Sequence, residues 1–260
     1  MAIVPVQPSS YNLEETVSII SSFYNFLVRM HAGESIEWVE YPPPGGWPTI
    51  PYEEYRKMGY NDTVIALIRQ LPYFGNAESG CEIMEHTWLH NWKSELHSWD
   101  HELEKREAPD APGSPLICLT KCEEYGFNVY CDTSRGAIVW TKEDGDFPDT
   151  ALFGDLVYND YHDEGQDLSQ WFNAQWRDVR VFRIKTFFDM CMEQFSILTW
   201  IPSMEEGSEG QVTMISRSEE VDGLEALRIE ILKEAGWPGT SWDKKKAVEE
   251  TTERMREYMA

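Results

Sequence analysis

The sequence predicts an α+β fold with a central, mainly antiparallel sheet flanked by helices. Three observations carry that prediction. Short apolar runs, several with period two, cluster between 116 and 141. Amphipathic segments of helical period lie on either side of them, and no alternation of strand and helix of the kind that builds a parallel sheet is present. With 260 residues, 42% hydrophobic and 13% aromatic, the chain has enough large apolar surface for a sizeable core. One α+β domain over 1–260 is expected: a helical N-terminal part over 1–107, a sheet-containing part over 115–215 and a C-terminal helical extension over 222–260. No internal repeat is present.

Leu13, Val17, Ile20, Tyr24 and Leu27 recur at spacings of 4, 3, 4 and 3. They predict a first amphipathic helix, capped by Asn12 or Ser10 and ending near Gly33. In Tyr41-Pro-Pro-Pro-Gly-Gly-Trp-Pro48, prolines fix φ and remove donors while glycines allow bending, so an extended loop is expected, anchored to the core by Trp47. Asp62 is read as the cap of a helix over 63–71, with Val64, Leu67, Ile68 and Leu71 on one face and Pro72 closing it. Trp88, Leu89, Trp92, Leu96, Trp99 and Leu103 share one face of a longer, inserted amphipathic helix predicted over 85–107, stopped by a proline-rich linker over 109–115.

The period then changes, and strands are predicted at 116–119, 127–131 and 137–141, the last two joined through Asp132-Thr-Ser-Arg-Gly136 with Gly136 free to take positive φ. Residues 142–167 are acidic and punctuated by Gly and Pro, as expected of a long loop. A helix over 184–200 follows, with Phe188, Cys191, Phe195 and Leu198 facing in. A flexible linker over 204–211, a short strand over 212–215 and helices over 224–235 and 243–259, separated by Gly236-Trp-Pro-Gly239, complete the chain.

Lys and Arg number 22 against 46 Asp and Glu, a formal charge of −24. Such a surface repels phosphate backbones and anionic lipid, so neither nucleic acid nor membrane is expected as a partner. It serves solubility, or it offers a face to a basic partner. The five cysteines are odd in number and scattered, and the apolar patches of 1–10 are broken by Pro5 and Pro8, so no secretory signal is expected. A reduced compartment follows, cytoplasmic or nuclear. Cys118-x3-Cys122 with Cys131 lacks the usual CxxC knuckle and reads as buried free thiols. No apolar stretch is long enough to cross a bilayer.

His86, His90, His97 and His101 stand at offsets 0, 4, 11 and 15 and would share one face of the 85–107 helix, opposite the Trp/Leu stripe. That face is open to three readings: a solvated surface, chelation of a divalent cation by an i, i+4 pair, or acid/base work in a pocket. All four cannot hold one ion, because the second pair begins about 16 Å along the helix. Asp160, Asp163 and Glu164 have carboxylate spacing suited to magnesium but no second cluster to complete a diphosphate site, and the positions after Asp144 do not fit a calcium loop. Neither a metal site nor a cofactor is assigned. GxSxG, Walker and GxGxxG signatures are absent. Trp171, Phe172 and Trp176, with Arg177, Arg180 and Arg183, read as a core wall and its cationic rim.

Several segments together resemble a known group. Pro42-Pro-Pro-Gly-Gly-Trp-Pro-Thr-Ile50, Asp62-Thr-Val-Ile-Ala-Leu-Ile-Arg-Gln-Leu-Pro-Tyr73, Val129-Tyr-Cys-Asp-Thr-Ser-Arg-Gly-Ala-Ile138, Phe187-Phe-Asp-Met-Cys-Met-Glu-Gln-Phe195 and Gly236-Trp-Pro238 occur in an order similar to that of filamentous-fungal proteins resembling the SMI1/KNR4-like (SUKH) superfamily. The resemblance spans most of the chain and implies an α+β domain with a central antiparallel sheet that serves as a protein-interaction module. The long histidine-bearing helix departs from that pattern. The leading expectation is therefore a non-enzymatic acidic module whose sheet face and 142–167 segment recognise a basic or aromatic-bearing protein surface. The alternative is a cofactor-independent enzyme of fungal small-molecule metabolism, a cyclase or isomerase acting on a small apolar molecule. For it the candidate catalytic residues are His86, His90, Asp132, Asp160 and His162, with Trp47, Trp140 and Trp171 as pocket walls.

Overall fold

The structure is a computed structural model that describes residues 11–30, 39–74, 81–93, 113–122, 125–142, 179–204, 211–215, 221, 223–258 and 260. The elements are α1 (Leu13–Met30), β1 (Val39–Glu40), α2 (Tyr52–Lys57), α3 (Asp62–Gln70), β2 (Tyr73–Phe74), β3 (Glu82–Met84), β4 (Thr87–Leu89), β5 (Leu116–Cys118), β6 (Thr120–Cys122), β7 (Phe127–Asp132) and β8 (Ala137–Lys142). They continue with β9 (Val179–Arg183), α4 (Ile184–Ser196), β10 (Trp200–Pro202), β11 (Val212–Met214), α5 (Gly223–Glu234) and α6 (Lys244–Tyr258). The fold is mixed α+β, and every ladder between these strands is antiparallel. The strands form a four-stranded sheet β5-β7-β8-β9, a three-stranded sheet β3-β4-β6 and two pairs, β1-β2 and β10-β11.

The four-stranded sheet is the scaffold. Its register runs Phe127↔Lys142 to Asp132↔Ala137, then Ala137↔Arg183 to Thr141↔Val179. Ile138, Val139 and Trp140 on the inner strand β8 are fully buried, each large side chain contributing about 1.5–3 kcal/mol of transfer free energy. Helix α4 leaves β9 directly and lays Phe187 edge-on to Trp140 at 5.9 Å. Phe188 then meets Phe23 of α1 at 5.2 Å, so one aromatic chain links sheet, α4 and α1.

Side-chain hydroxyls join the two larger sheets. Thr87 Oγ1 on β4 accepts from Phe127 N (2.8 Å), and Thr120 Oγ1 on β6 accepts from Val129 N (2.9 Å) and donates to Phe127 O (3.2 Å). Each hydroxyl takes the place of a backbone ladder group, which keeps buried polar atoms paired where the strands change sheets.

Helix ends follow local chemistry. Asn12 Oδ1 accepts from Glu15 N at 3.0 Å and caps α1, which ends at Met30. The cap of α3 is Asn61 rather than Asp62. Asn61 is extended (ψ 167°) and its Oδ1 accepts from Val64 N at 2.8 Å, whereas Asp62 is the first helical residue, where its charge opposes the helix dipole. Helix α4 stops at Ser196, short of the predicted 200, because Leu198 adopts φ 60° and the N–H groups of Leu198 and Thr199 fold back to Phe195 O and Gln194 O. Trp200 thereby opens a strand. At the end of α5, Gly236 (φ 95°) reverses the chain, and a Cβ there would lie 2.5 Å from Ser241 O. Beyond it Trp237 Nε1 donates to Phe195 O and Trp242 Nε1 to Arg29 O, both at 3.0 Å, which docks the C-terminal helical pair on the ends of α4 and α1.

The largest correction concerns 85–107. The described part of that stretch, 85–93, is not helical: Glu82–Met84 and Thr87–Leu89 form an antiparallel hairpin turning at Glu85 and His86, and β4 pairs onward with β6. Trp88, Leu89 and Trp92 fit a helical stripe by spacing, but pairing with 120–122 and the Thr87 link to β7 win. Among its described residues the N-terminal part therefore carries four strands as well as helices. His97, His101 and the rest of the predicted helix lie outside the described residues, as do 143–178. No helix among the described residues is long and apolar enough to cross a membrane.

Candidate functional site

The β3-β4 hairpin is built around a buried acid. Glu82 is 3% exposed, yet its carboxylate is well satisfied: Oε1 accepts from His86 N at 2.5 Å and Oε2 from Val212 N of β11 at 3.1 Å. One buried acid thus closes its own turn and fastens it to a strand 130 positions away. The His86 ring is exposed at the tip of the turn, on a backbone with φ 56°. Beside it the Cys81 thiol is pushed far up, first by burial and second by the Glu82 charge.

After β4 the chain enters an aromatic cluster. His90 is 2% exposed and stacks on Trp92, with ring centroids 4.0 Å apart and planes 21° apart. Its N–H donates to Leu119 O, and Trp92 Nε1 donates to Cys118 O at 3.2 Å, so the cluster is pinned to the junction of β5 and β6. Tyr55 and Tyr60 meet the indole edge-on at 5.8 and 6.1 Å, and Tyr55 OH donates to Trp92 O. Neighbouring Lys93 places its ammonium 4.9 Å from the Trp47 ring centroid and ion-pairs with Glu40. Trp47 anchors its loop as predicted, its Nε1 donating to Leu71 O at 2.7 Å.

Asp132 stands elsewhere, at the end of β7. Its Oδ1 accepts from Ser134 N (2.8 Å), Ser134 Oγ (2.6 Å) and Arg135 N (3.3 Å), while its own carbonyl accepts from Gly136 N (2.9 Å). This is an Asx-turn that closes the β7-β8 hairpin. Trp140 packs among Phe127, Phe182 and Phe187 inside the core.

The sequence-nominated residues thus fall in separate surroundings: His86 on an exposed turn, His90 in the Trp92 cluster, Asp132 in a hairpin turn. Trp47 is buried against the Lys93 ammonium, and Trp140 is interior. Asp160, His162 and Trp171 lie outside the described residues. Sequence reasoning missed Glu82, Glu40 and Lys93. Only Glu82 leaves a trace, as an isolated acid between Cys81 and the apolar Ile83-Met84. Among the described residues no three His, Cys, Asp or Glu side chains come together as a metal-holding group. Comparison of the chain with protein-family models, curated proteins and solved structures finds no match.

Proposed function

We propose that the chain is a non-enzymatic, acidic protein-interaction module that recognises a basic protein surface. One observation carries the reading. Residues 143–178 hold ten carboxylates against one arginine, and they connect two strands that are immediate neighbours, since Thr141 of β8 pairs with Val179 of β9. Antiparallel neighbours can be joined by as few as about two residues. The long connection between them concentrates negative charge on a segment rooted at one end of the four-stranded sheet. Charge of one sign in one segment steers a cationic partner and makes binding salt-sensitive. The turn-closing duty of Asp132 favours the same reading, as does the resemblance to the SUKH superfamily. A cytoplasmic or nuclear setting and a protein partner rather than nucleic acid or membrane belong to the proposal.

The test is affinity capture by the immobilised full chain at low and raised salt, beside a variant with the 143–178 carboxylates changed to carboxamides. The expected result is basic proteins retained at low salt, released as salt rises and lost in the variant. Retention of acidic proteins, or capture indifferent to both changes, would overturn it.

A second reading, a cofactor-independent cyclase or isomerase, is favoured by a single feature: the buried His90 imidazole among Trp92, Tyr55 and Tyr60. It predicts that a small apolar compound raises the melting temperature of the chain and that His90→Gln removes the effect while leaving capture of basic proteins intact. A chain unaffected across a panel of polycyclic and terpenoid compounds would count against it.

A further inference from the structure

We infer that Cys118, Cys122 and Asn128 form a binding site for a thiophilic divalent cation of the zinc and cadmium class. The argument begins with the path of the chain between β5 and β6. In a regular strand, positions i and i+4 share a face but lie about 13 Å apart. Here the strand is interrupted at Leu119, whose N–H still donates to Val129 O, and Thr120 turns its hydroxyl into the β7 ladder. The local curl brings Cys118 Sγ to 2.9 Å from Thr120 O.

As a result both sulfurs lie near one oxygen. Asn128 Oδ1 lies 3.9 Å from Cys118 Sγ and 3.4 Å from Cys122 Sγ, which caps the distance between the two sulfurs at the sum of those lengths. Thiolates sharing a tetrahedral zinc lie about 3.8 Å apart, from Zn–S bonds of about 2.3 Å, a separation inside that bound. A disulfide asks for more, about 2.05 Å between sulfurs and a short span between Cα atoms.

The chemistry balances. Each S–H gives up its proton, two thiolates bind one divalent cation, and two protons are released. The loaded pair carries no net charge, which removes the penalty of an isolated thiolate in a buried place. Asn128 Oδ1 and Thr120 O, which now accept the S–H groups, supply two further oxygens to a four-donor set. These oxygens are why a site can exist where His, Cys, Asp and Glu alone do not form one. Asn128 is 8% exposed, Cys118 is buried, and Cys122 is half-buried, giving the cation its way in. The remaining thiols do not compete: Cys81, Cys131 and Cys191 are fully enclosed and held protonated by burial.

Cadmium added to the reduced full chain tests the site, with three readings: the ultraviolet sulfur-to-cadmium charge-transfer band, the protons released, and the alkylation rate of Cys122 by iodoacetamide followed by mass spectrometry. A band saturating at one cadmium per chain, two protons per cadmium and slowed alkylation of Cys122 are expected. Cys122→Ser should abolish the band, and Asn128→Ala should weaken cadmium binding about tenfold with the near-ultraviolet circular dichroism unchanged. A single proton per cadmium, unchanged alkylation, or a band that persists in Cys122→Ser overturns the inference. Should a variant fail to fold, proton count and alkylation on the unmodified chain decide it.

Discussion

Two hairpins in this molecule are each closed by a buried carboxylate, over very different ranges of sequence. At β7-β8, Asp132 folds its side chain onto Ser134 and Arg135, within three residues of itself, and Gly136 supplies the positive φ (64°). At β3-β4, Glu82 reaches His86 four residues on and then Val212 across the molecule, and a histidine rather than a glycine takes the positive φ (56°). In each case the residue before the acid is a buried cysteine, Cys81 or Cys131, raised by burial first and by the adjacent carboxylate second. The first hairpin is a self-contained turn. The second closes its turn through Glu82 and His86 N–H, and is held besides by β6, β7 and β11.

That contrast orders the effects of breaking each part. Glu82→Ala leaves the buried N–H of Val212 and the half-buried N–H of His86 without their acceptor and should cost about 2–3 kcal/mol in urea unfolding. Glu82→Gln, which keeps one acceptor oxygen, should cost less. Equal stability of Glu82→Ala and the parent would remove the basis for a long-range clamp. Asp132→Ala loses only local partners, some of which can turn to water, and should cost about 1–2 kcal/mol.

Alkaline stability sharpens the comparison. The folded values of Cys81 and Cys131 are raised, so each thiol keeps a proton in the folded chain that the unfolded chain releases near pH 8.5. Their contribution is complete below that pH and declines as pH rises, by up to about 1.4 kcal/mol per pH unit for each thiol. Urea unfolding between about pH 8 and 9, below the tyrosine range, should show the decline, shallower in Cys81→Ala and in Cys131→Ala. Parallel pH profiles for parent and variants would contradict the assignment. The smallest effect is expected at His86, where His86→Gly relieves a left-handed backbone and should stabilise by about 0.5–1 kcal/mol. A loss of stability there would mean that the ring makes contacts worth more than the strain.

How much of this was legible follows from the same difference. Asp132-Thr-Ser-Arg-Gly136 announces its turn because acid, hydroxyl and glycine meet each other's needs within five residues. The α1 stripe is equally readable, as is Trp47, a large aromatic among prolines and glycines. Residues 85–93 misled because Trp88, Leu89 and Trp92 satisfy a helical period while the strand partners that overrule it lie some thirty residues on. Of the candidate site residues, His86 and His90 were read as neighbours on one helix face. On a hairpin they part, one to solvent and one against Trp92.

By itself the sequence determined the α+β class, the net charge of −24, the first helix, the β7-β8 hairpin and the Gly236 reversal. Each of these rests on residues that act on their near neighbours, or on composition alone. Only the tertiary structure decided that 85–93 would be strand, that Glu82 would join β3 to β11, and that Cys118 and Cys122 would share the amide of Asn128. Those outcomes depend on hydrogen bonds between residues distant in the chain, and the free energy of burying a polar group is settled by whichever partner the fold delivers.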